Sequence, residues 1–441
     1  MCPDAGATPR LSAYRALAVT VVTLALAYGV WYAYSLFLVA LLREFGWSRS
    51  VLAGAFSVFT LVSGGAGPVL GALADRFGPR RLILIGGVLL AASLWADSLV
   101  TRAWHLYLAF GLLTAVGVAT AGWTPAVVMV QRQWSTRLGL ALGIAGSGVG
   151  LGIFLVVPLC QALIEAFGWR WAFRGLGVLA LLWIVPATAL FVRDVPPAPR
   201  PAGPTPESTR EGGHSLERAL ASPSFRFIGL AVFLGSICSQ TLHVHQAAFL
   251  VDHGLPAMTA ASVISVVGAA SILGKTGGGF VSDLFPREAV YALGMVGMIG
   301  GVGLLWMVAA APSAWLAMGY GVLFGIGYSV TAFVVPAMMS DRFRGPHFGA
   351  IFGATQVASA LGSALGAWLA GRIFDATGSY AIAFSIAAGA AAVAALSVWA
   401  SRVPQPQGGL GLSPRTGAGA SVPPADGSRR REGSRRIAGR T

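Results

Sequence analysis

Lys275 is the only lysine in the chain, and it stands inside a long apolar run. It lies about seven residues, roughly 10 Å at the helical rise, from the nearer end of that run. A lone ammonium group in hydrocarbon costs roughly 2.5–3.5 kcal/mol. An acidic partner at the same depth is the usual remedy. The sequence offers none, because its 16 Asp and Glu residues fall in loops, tails or the ends of apolar runs. Water, a carbonyl group, a stem that snorkels to the surface or a negatively charged ligand remain. The last of these makes Lys275 the binding group for an anion.

Other residues could share that work. Gln240 and His243 are three apart and so face one side of a helix. His243 is the candidate to carry a coupling proton, since imidazole titrates near neutrality; a histidine hydrogen-bonded near the interface is the alternative. Tyr28, Tyr328 and Gln356 fall near the middle of apolar runs, where a hydroxyl or amide needs a partner. Ala269 to Thr276 nearly matches a phosphate-binding loop, but that loop needs a preceding strand, and this stretch sits inside an apolar helix. The three cysteines form no CxxC pair, so neither a disulfide framework nor a structural zinc site is expected. The apolar runs hold no carboxylate pair, HExxH or Ser/His/Asp set, which argues against an enzyme. No cofactor and no metal are called for.

The elements that position these residues are membrane helices. Hydrophobic residues make up 56% of the 441 and charged ones 10%, against about 25% charged in soluble chains. Twelve apolar runs recur, at 16–42, 50–74, 82–100, 104–129, 138–163, 172–192, 226–250, 257–282, 289–310, 314–339, 348–372 and 379–401. Each is long enough to cross a bilayer as a helix. The first has no small-residue cleavage pattern and reads as a retained helix. The net charge of +14 is explained by topology and not by nucleic acid. With both termini in the cytoplasm, 23 basic residues fall on that side and 6 outside, as the positive-inside rule requires. The organisation expected is a cytoplasmic N-tail at 1–15, a six-helix bundle at 16–192, a Pro-rich cytoplasmic linker at 193–225, a second bundle at 226–402 and a disordered Arg-rich cytoplasmic tail at 403–441.

The two bundles repeat one another. Gly71-Ala-Leu-Ala-Asp75 recurs as Gly279-Phe-Val-Ser-Asp283, and Tyr107-Leu-Ala-Phe-Gly111 as Trp315-Leu-Ala-Met-Gly319, both at an offset of 208. Arg132 matches Arg342 at 210, as do Gly139 and Gly143 with Gly349 and Gly353. Parallel six-helix repeats place an axis along the membrane normal and a site between the halves. The loop Gly71-Ala-Leu-Ala-Asp75-Arg76-Phe77-Gly78-Pro79-Arg80-Arg81 resembles the signature loop of the major facilitator superfamily. That resemblance implies an all-α fold of twelve transmembrane helices in two parallel six-helix repeats. It assigns Gly71, Asp75, Arg76, Gly78 and Arg80, with Gly279 and Asp283 of the second copy, to a conformational latch. It also implies that the glycine-rich helices 2, 5, 8 and 11 form the seam between halves.

A narrower resemblance covers two stretches. Phe37 to Ser50 looks like the segment after helix 1 in bacterial monocarboxylate porters, and Gln131 to Gly148 resembles that family's helix 4–5 motif, shared in style with oxalate–formate antiporters. In that family a cation in helix 8, usually Arg, receives the substrate carboxylate. Lys275 holds the matching position, and Ser271 stands where many members place an acid. Tyr34 stands where some carry a helix 1 lysine. The resemblance thus adds Ser271 and Tyr34 to the binding set read from the residues themselves, Lys275, Tyr28, Tyr328 and Gln356. The expected activity is secondary transport of a small organic anion, a monocarboxylate, with proton symport or anion exchange. The carrier would be a monomer in the inner (plasma) membrane, with no nucleic-acid partner. An exporter of hydrophobic compounds and a non-transporting sensor on the same fold stay open.

Overall fold

The computed structural model describes residues 11–133, 138–193, 216–343 and 348–402, and a few side chains within those helices lie outside the description. Twelve helices are long and apolar enough to span a bilayer. They are α1 (Leu11–Phe45), α2 (Arg49–Phe77), α3 (Pro79–Asp97), α4 (Ala103–Gln133), α5 (Leu138–Phe167) and α6 (Trp169–Phe191). The second set is α7 (Pro223–Asp252), α8 (Ala257–Leu284), α9 (Arg287–Ala310), α10 (Ala314–Arg342), α11 (Phe348–Thr377) and α12 (Ala381–Ala400). A short helix, Leu216–Ala221, precedes α7. No strand occurs among the described residues.

Backbone chemistry demands this. A spanning segment in lipid must satisfy every N–H and C=O within itself, and a helix does so. The helices run up to five residues past the ends of the apolar stretches, because their polar ends continue into the headgroup region. Glycine ends them sharply: Gly46 adopts φ +64° and donates its N–H to Leu42 O at 3.0 Å, so α1 stops and the chain turns directly into α2. Gly168, Gly254 and Gly378 do the same after α5, α7 and α11. Gly46 and Gly254 are 208 apart, Gly168 and Gly378 are 210 apart. The repeat therefore extends to the turns. Among the described residues only α4 departs from α-helical winding: a π-helical stretch fills Tyr107–Thr114, and the helix breaks at Gly122 and restarts at Trp123.

Packing repeats as well. In the first half α1 lies on α5, α2 on α4 and α3 on α6; in the second, α7 lies on α11, α8 on α10 and α9 on α12. The halves meet through α2 with α11, α5 with α8, and α1 with α7. Helices in lipid associate by close contact and not by escape from water, so small residues decide the approach. A side chain at Gly152 would strike Ala25 O of α1, and one at Gly362 would strike Phe233 O of α7. These two glycines therefore serve packing inside each half. The expected seam glycines are others: Gly150 lies against Ile272 and Gly268 of α8, and Gly64 against Ala360 of α11.

The seams are not closed along their whole length. The bundle end that carries the α1 N-terminus is here the tail side, and the opposite end the far side. On the α2–α11 seam, Gly371 touches the Arg49 and Ser50 backbone at the far side, and Ser57 Oγ donates to Ala364 O at 2.7 Å. Towards the tail side, among the described residues, Gly65, Gly143 and Gly353 have open space where a side chain would go. The seam contacts named among the described residues run from mid-span to the far side.

Candidate functional site

α1, α7, α8 and α10 bring a polar and aromatic cluster together at mid-span. The His243 ring lies 4.8 Å from the Tyr32 ring, 4.6 Å from Phe324 and 4.7 Å from Tyr328, the last edge-on. Trp31 stacks on Tyr28 at 5.5 Å and meets Phe59 edge-on at 4.7 Å. Lys275 Nζ approaches the Tyr328 ring to 5.8 Å from its centroid. Tyr328 thus touches both the histidine and the lysine, and joins α7 to α8. A cation over an aromatic face is stabilised by roughly 0.5–2 kcal/mol, more when water is excluded.

Four polar atoms of this cluster are buried with no hydrogen-bond partner: Trp31 Nε1, Gln240 Oε1, His243 Nε2 and Tyr328 Oη. Each such group costs about 1–3 kcal/mol if it stays unmet. Among the described residues no carboxylate lies within ion-pairing distance of Lys275. Unmet donors, unmet acceptors and a cation in one place are what a polar ligand would satisfy. His243 is fixed from behind, its Nδ1 lying 2.9 Å from Ser239 O. Below it Tyr320 Oη donates to Gln246 Oε1 at 2.8 Å, and Gln246 Nε2 to His243 O at 3.3 Å.

Of the expected binding residues, Lys275, Tyr328 and Tyr28 meet in this region. Ser271 lies beside Tyr328, but its hydroxyl donates to Gly268 O at 2.8 Å. Tyr34 does not join them. It is 1% exposed, donates to Leu52 O at 2.6 Å and stacks on Phe110 at 4.2 Å, inside the first-half core. Its neighbours make it a packing residue, a correction to the expected binding set. Gln356 is exposed on α11, where the halves part, and no contact ties it to the cluster. Trp31 and Tyr32, mid-span aromatics of the first apolar run, belong to the cluster, and so does Phe324, which the pattern of the sequence did not single out. The signal for them was the crowding of aromatics at 28–34 and the i, i+4 pair Phe324 and Tyr328.

The expected tail-side latch is placed in part. Gly78 makes the α2–α3 turn at φ +89°. Gly71 lies near Thr124 of α4. Arg76 is exposed, its guanidinium 5.2 Å from the Phe77 ring centroid. Arg80 donates to Ala189 O of α6 at 2.8 Å, and Arg132 to Ala74 O of α2 at 3.2 Å. The contacts named for these five residues lie within the first half. The side chains of Asp75 and Asp283, and the surroundings of Gly279, lie outside the described residues.

A second polar assembly, on the far side, joins the two halves directly. Arg49 at the start of α2 pairs with Asp252 at the end of α7 at 2.6 Å, and donates to Tyr380 Oη at 2.7 Å. Its guanidinium also stacks 3.9 Å over the Phe374 ring. Asp375 of α11 accepts from Arg49 N at 2.9 Å and Ser50 N at 2.8 Å. The N-terminus of α2 is therefore capped by an acid of the other half, which suits the positive end of its dipole. Tyr380 Oη reaches His245 Nδ1 at 3.0 Å, and His245 Nε2 reaches Ala367 O at 2.9 Å. The arrangement fastens the far side shut. In the sequence Arg49 counted only as one outer charge, since its partners lie 203 to 331 residues away.

Comparison with known proteins agrees with this architecture. Residues 20–277 and 247–431 match the family model of the Major Facilitator Superfamily. Monocarboxylate transporter 13 of Bos taurus is 30% identical over 366 residues, covering 82% of this chain and 83% of that protein. Monocarboxylate transporter 3 of Rattus norvegicus is 28% identical over 369 residues, covering 82% and 74%. Among solved structures, a bacterial homolog of the human lysosomal transporter Spinster, in an inward-facing and unoccupied conformation, superposes with a TM-score of 0.66. It has 17% identity and covers 90% of this chain and 98% of that one, a likeness of fold. Twelve spanning helices in a duplicated arrangement, a polar cluster between the halves and a matching family model make one case: this multi-pass membrane protein is a transporter, not an enzyme, and belongs to the Major Facilitator Superfamily.

Proposed function

We propose that the protein carries a small organic anion, a monocarboxylate, across the inner (plasma) membrane by alternating access. The observation that carries this reading is Lys275: a cation within a spanning helix, next to unmet polar groups and with no carboxylate partner among the described residues. A substrate carboxylate would supply the missing charge. The relatives at about 30% identity, monocarboxylate transporters by name, support the same class. The aromatic walls formed by Trp31, Tyr32, Phe324 and Tyr328 would hold the apolar remainder. Those walls also favour the second reading, an exporter of hydrophobic compounds, which has no use for the lysine.

With both termini in the cytoplasm, the parted tail side is the inward opening, and the Arg49 assembly is the closed outer gate. The two bundles, 16–192 and 226–402, rock about the seams while the linker at 193–225 lets them move. The carrier acts as a monomer, and its coupling is proton symport or anion exchange. An ammonium group binds a carboxylate as a point charge, without the two-pronged geometry of arginine. Uptake of labelled monocarboxylates into proteoliposomes tests the assignment. Lys275→Gln should lower kcat/KM about thirtyfold, the loss of roughly 2 kcal/mol from a charge-assisted contact, while Lys275→Arg keeps part of it. Undiminished uptake by Lys275→Gln would sink the reading. An inward proton gradient that accelerates uptake marks symport; acceleration only by internal anion marks exchange.

A further inference from the structure

We infer that the tail-side end of the second bundle holds a binding site for a phosphate group, carried on a membrane lipid or free in solution. The site lies away from the cluster around Lys275 and does not depend on the anion reading of that residue. It is a cavity of about 420 Å³ where the α8–α9 turn meets the ends of α10 and α12. That volume falls within the range of small-ligand pockets, roughly 300–1,000 Å³. Its wall is charged: Arg287, Arg342 and Arg402 line it together with Glu288 and Asp341. Arg287 pairs with Asp341 at 3.1 Å, and Glu288 takes both Arg342 at 2.6 Å and Arg402 at 2.8 Å. Three guanidinium groups against two carboxylates leave the wall with one positive charge to spare.

The duplicated fold does not require this cluster. At the offsets of 208 and 210, Arg287 and Asp341 correspond to Pro79 and Gln131 of the first half, and Glu288 to Arg80. There the equivalent turn is tied down by Arg80 on Ala189 O at 2.8 Å and by Arg132 on Ala74 O at 3.2 Å. The second half instead gathers three guanidinium forks round an open space. Each fork carries five N–H donors in one plane. Arg402 gives one nitrogen to Glu288 and Arg287 gives one to Asp341, so a fork held by an acid on one side can bond a second anion on the other. Phosphate suits such a wall better than carboxylate, because its oxygens point in several directions and accept from forks on different helices at once. The mouth is also apolar on the lipid side. Leu284 and Phe285 are 64% and 60% exposed beside it, and Arg402 stacks 4.3 Å over the Trp399 ring. A phospholipid brings both a phosphate and apolar chains to such a rim, and basic pockets at a membrane face bind such heads. Inorganic phosphate would use the same forks without the rim.

The test is thermal unfolding of the full chain in neutral detergent, titrated with dioctanoyl phosphatidylglycerol, with inorganic phosphate, and with dioctanoylglycerol as the phosphate-free control. A saturable rise in Tm with a phosphate-bearing probe, and none with dioctanoylglycerol, is the expected result. A rise with the lipid alone assigns the source to the membrane; a rise with inorganic phosphate, with or without the lipid, shows that the group itself suffices. Combining Arg287→Gln with Arg402→Gln should raise the midpoint concentration at least about tenfold, the loss of one or more charge-assisted bonds. Asp341→Asn releases Arg287 and adds to the positive charge, so it should lower the midpoint about threefold. No rise in Tm with either phosphate probe overturns the inference. Midpoints unchanged in these variants place the phosphate elsewhere, as on the Arg-rich segment 403–441, and overturn it too. Should the double Gln variant fail to fold, Asp341→Asn still decides, because damage to the structure would not tighten binding. In Lys275→Gln the response should persist, so this site and the carboxylate reading fail separately.

Discussion

At the scale of single residues, the chemistry of the site comes from groups whose needs the protein leaves unmet. Lys275 was legible in the sequence because charge inside a membrane span is rare and has to be explained. His243 and Gln240 were legible as a face of one helix. Their pairing with Tyr32 and Phe324 was not, because those rings come from α1 and α10 and spacing along a chain says nothing about helices that meet across an interface. Tyr34 shows the converse error. Its match to a helix 1 lysine of the resembling family pointed to the site, but it is rotated onto Leu52 and Phe110. Tyr34→Phe should therefore cost about 1 kcal/mol of stability from the lost hydrogen bond, read as a lowered Tm in detergent. The KM for transport should stay as it is; a large rise in KM would return Tyr34 to the binding set.

At the scale of elements, glycine has two separate tasks on the same helix. On α5, Gly148 and Gly152 face the α1 backbone, while Gly150 faces α8 across the seam. The sequence showed that the helix is glycine-rich, but not which positions belong to which neighbour, since every second residue turns to a different side. The two classes should respond differently to added bulk. Gly152→Leu meets the Ala25 carbonyl and should prevent folding or cost several kcal/mol, as overpacking of a tight contact does. Gly143→Leu meets open space in this state and should fold normally. When the tail side closes that space disappears, so Gly143→Leu should slow the transport cycle several-fold without weakening substrate binding. Thermal stability and uptake measured on the same two variants separate these outcomes.

At the scale of the molecule, two parallel bundles share an opening at one end and a fastening at the other. The duplication was legible from offsets of 208 and 210, and the turn glycines obey the same offsets. The fastening was not legible, because Arg49, Asp252 and Asp375 come from three helices and Tyr380 from the turn before α12. Removing one partner of a buried, hydrogen-bonded ion pair costs about 3–5 kcal/mol, and less where water reaches the acid. Arg49→Ala should thus move the population towards the outward-open form by about 2 kcal/mol, roughly thirtyfold. Cysteines placed near the far end of α7 and α11 should become markedly more reactive towards a membrane-impermeant thiol reagent. Unchanged reactivity would show that the assembly is not a gate. The duplication also exposes an asymmetry. Glu165 on α5 is the repeat counterpart of Asp375, yet among the described residues it accepts only from Gln161 on its own helix, at 2.9 Å. One rim of the far-side mouth is bolted and, among the described residues, its twin is not, so the mouth should yield first along the free rim and swing about the bolted one. Spin labels across the two rims would then lengthen in sequence during a cycle, and a carrier usually pictured as a symmetric rocker would behave more like a door on a hinge.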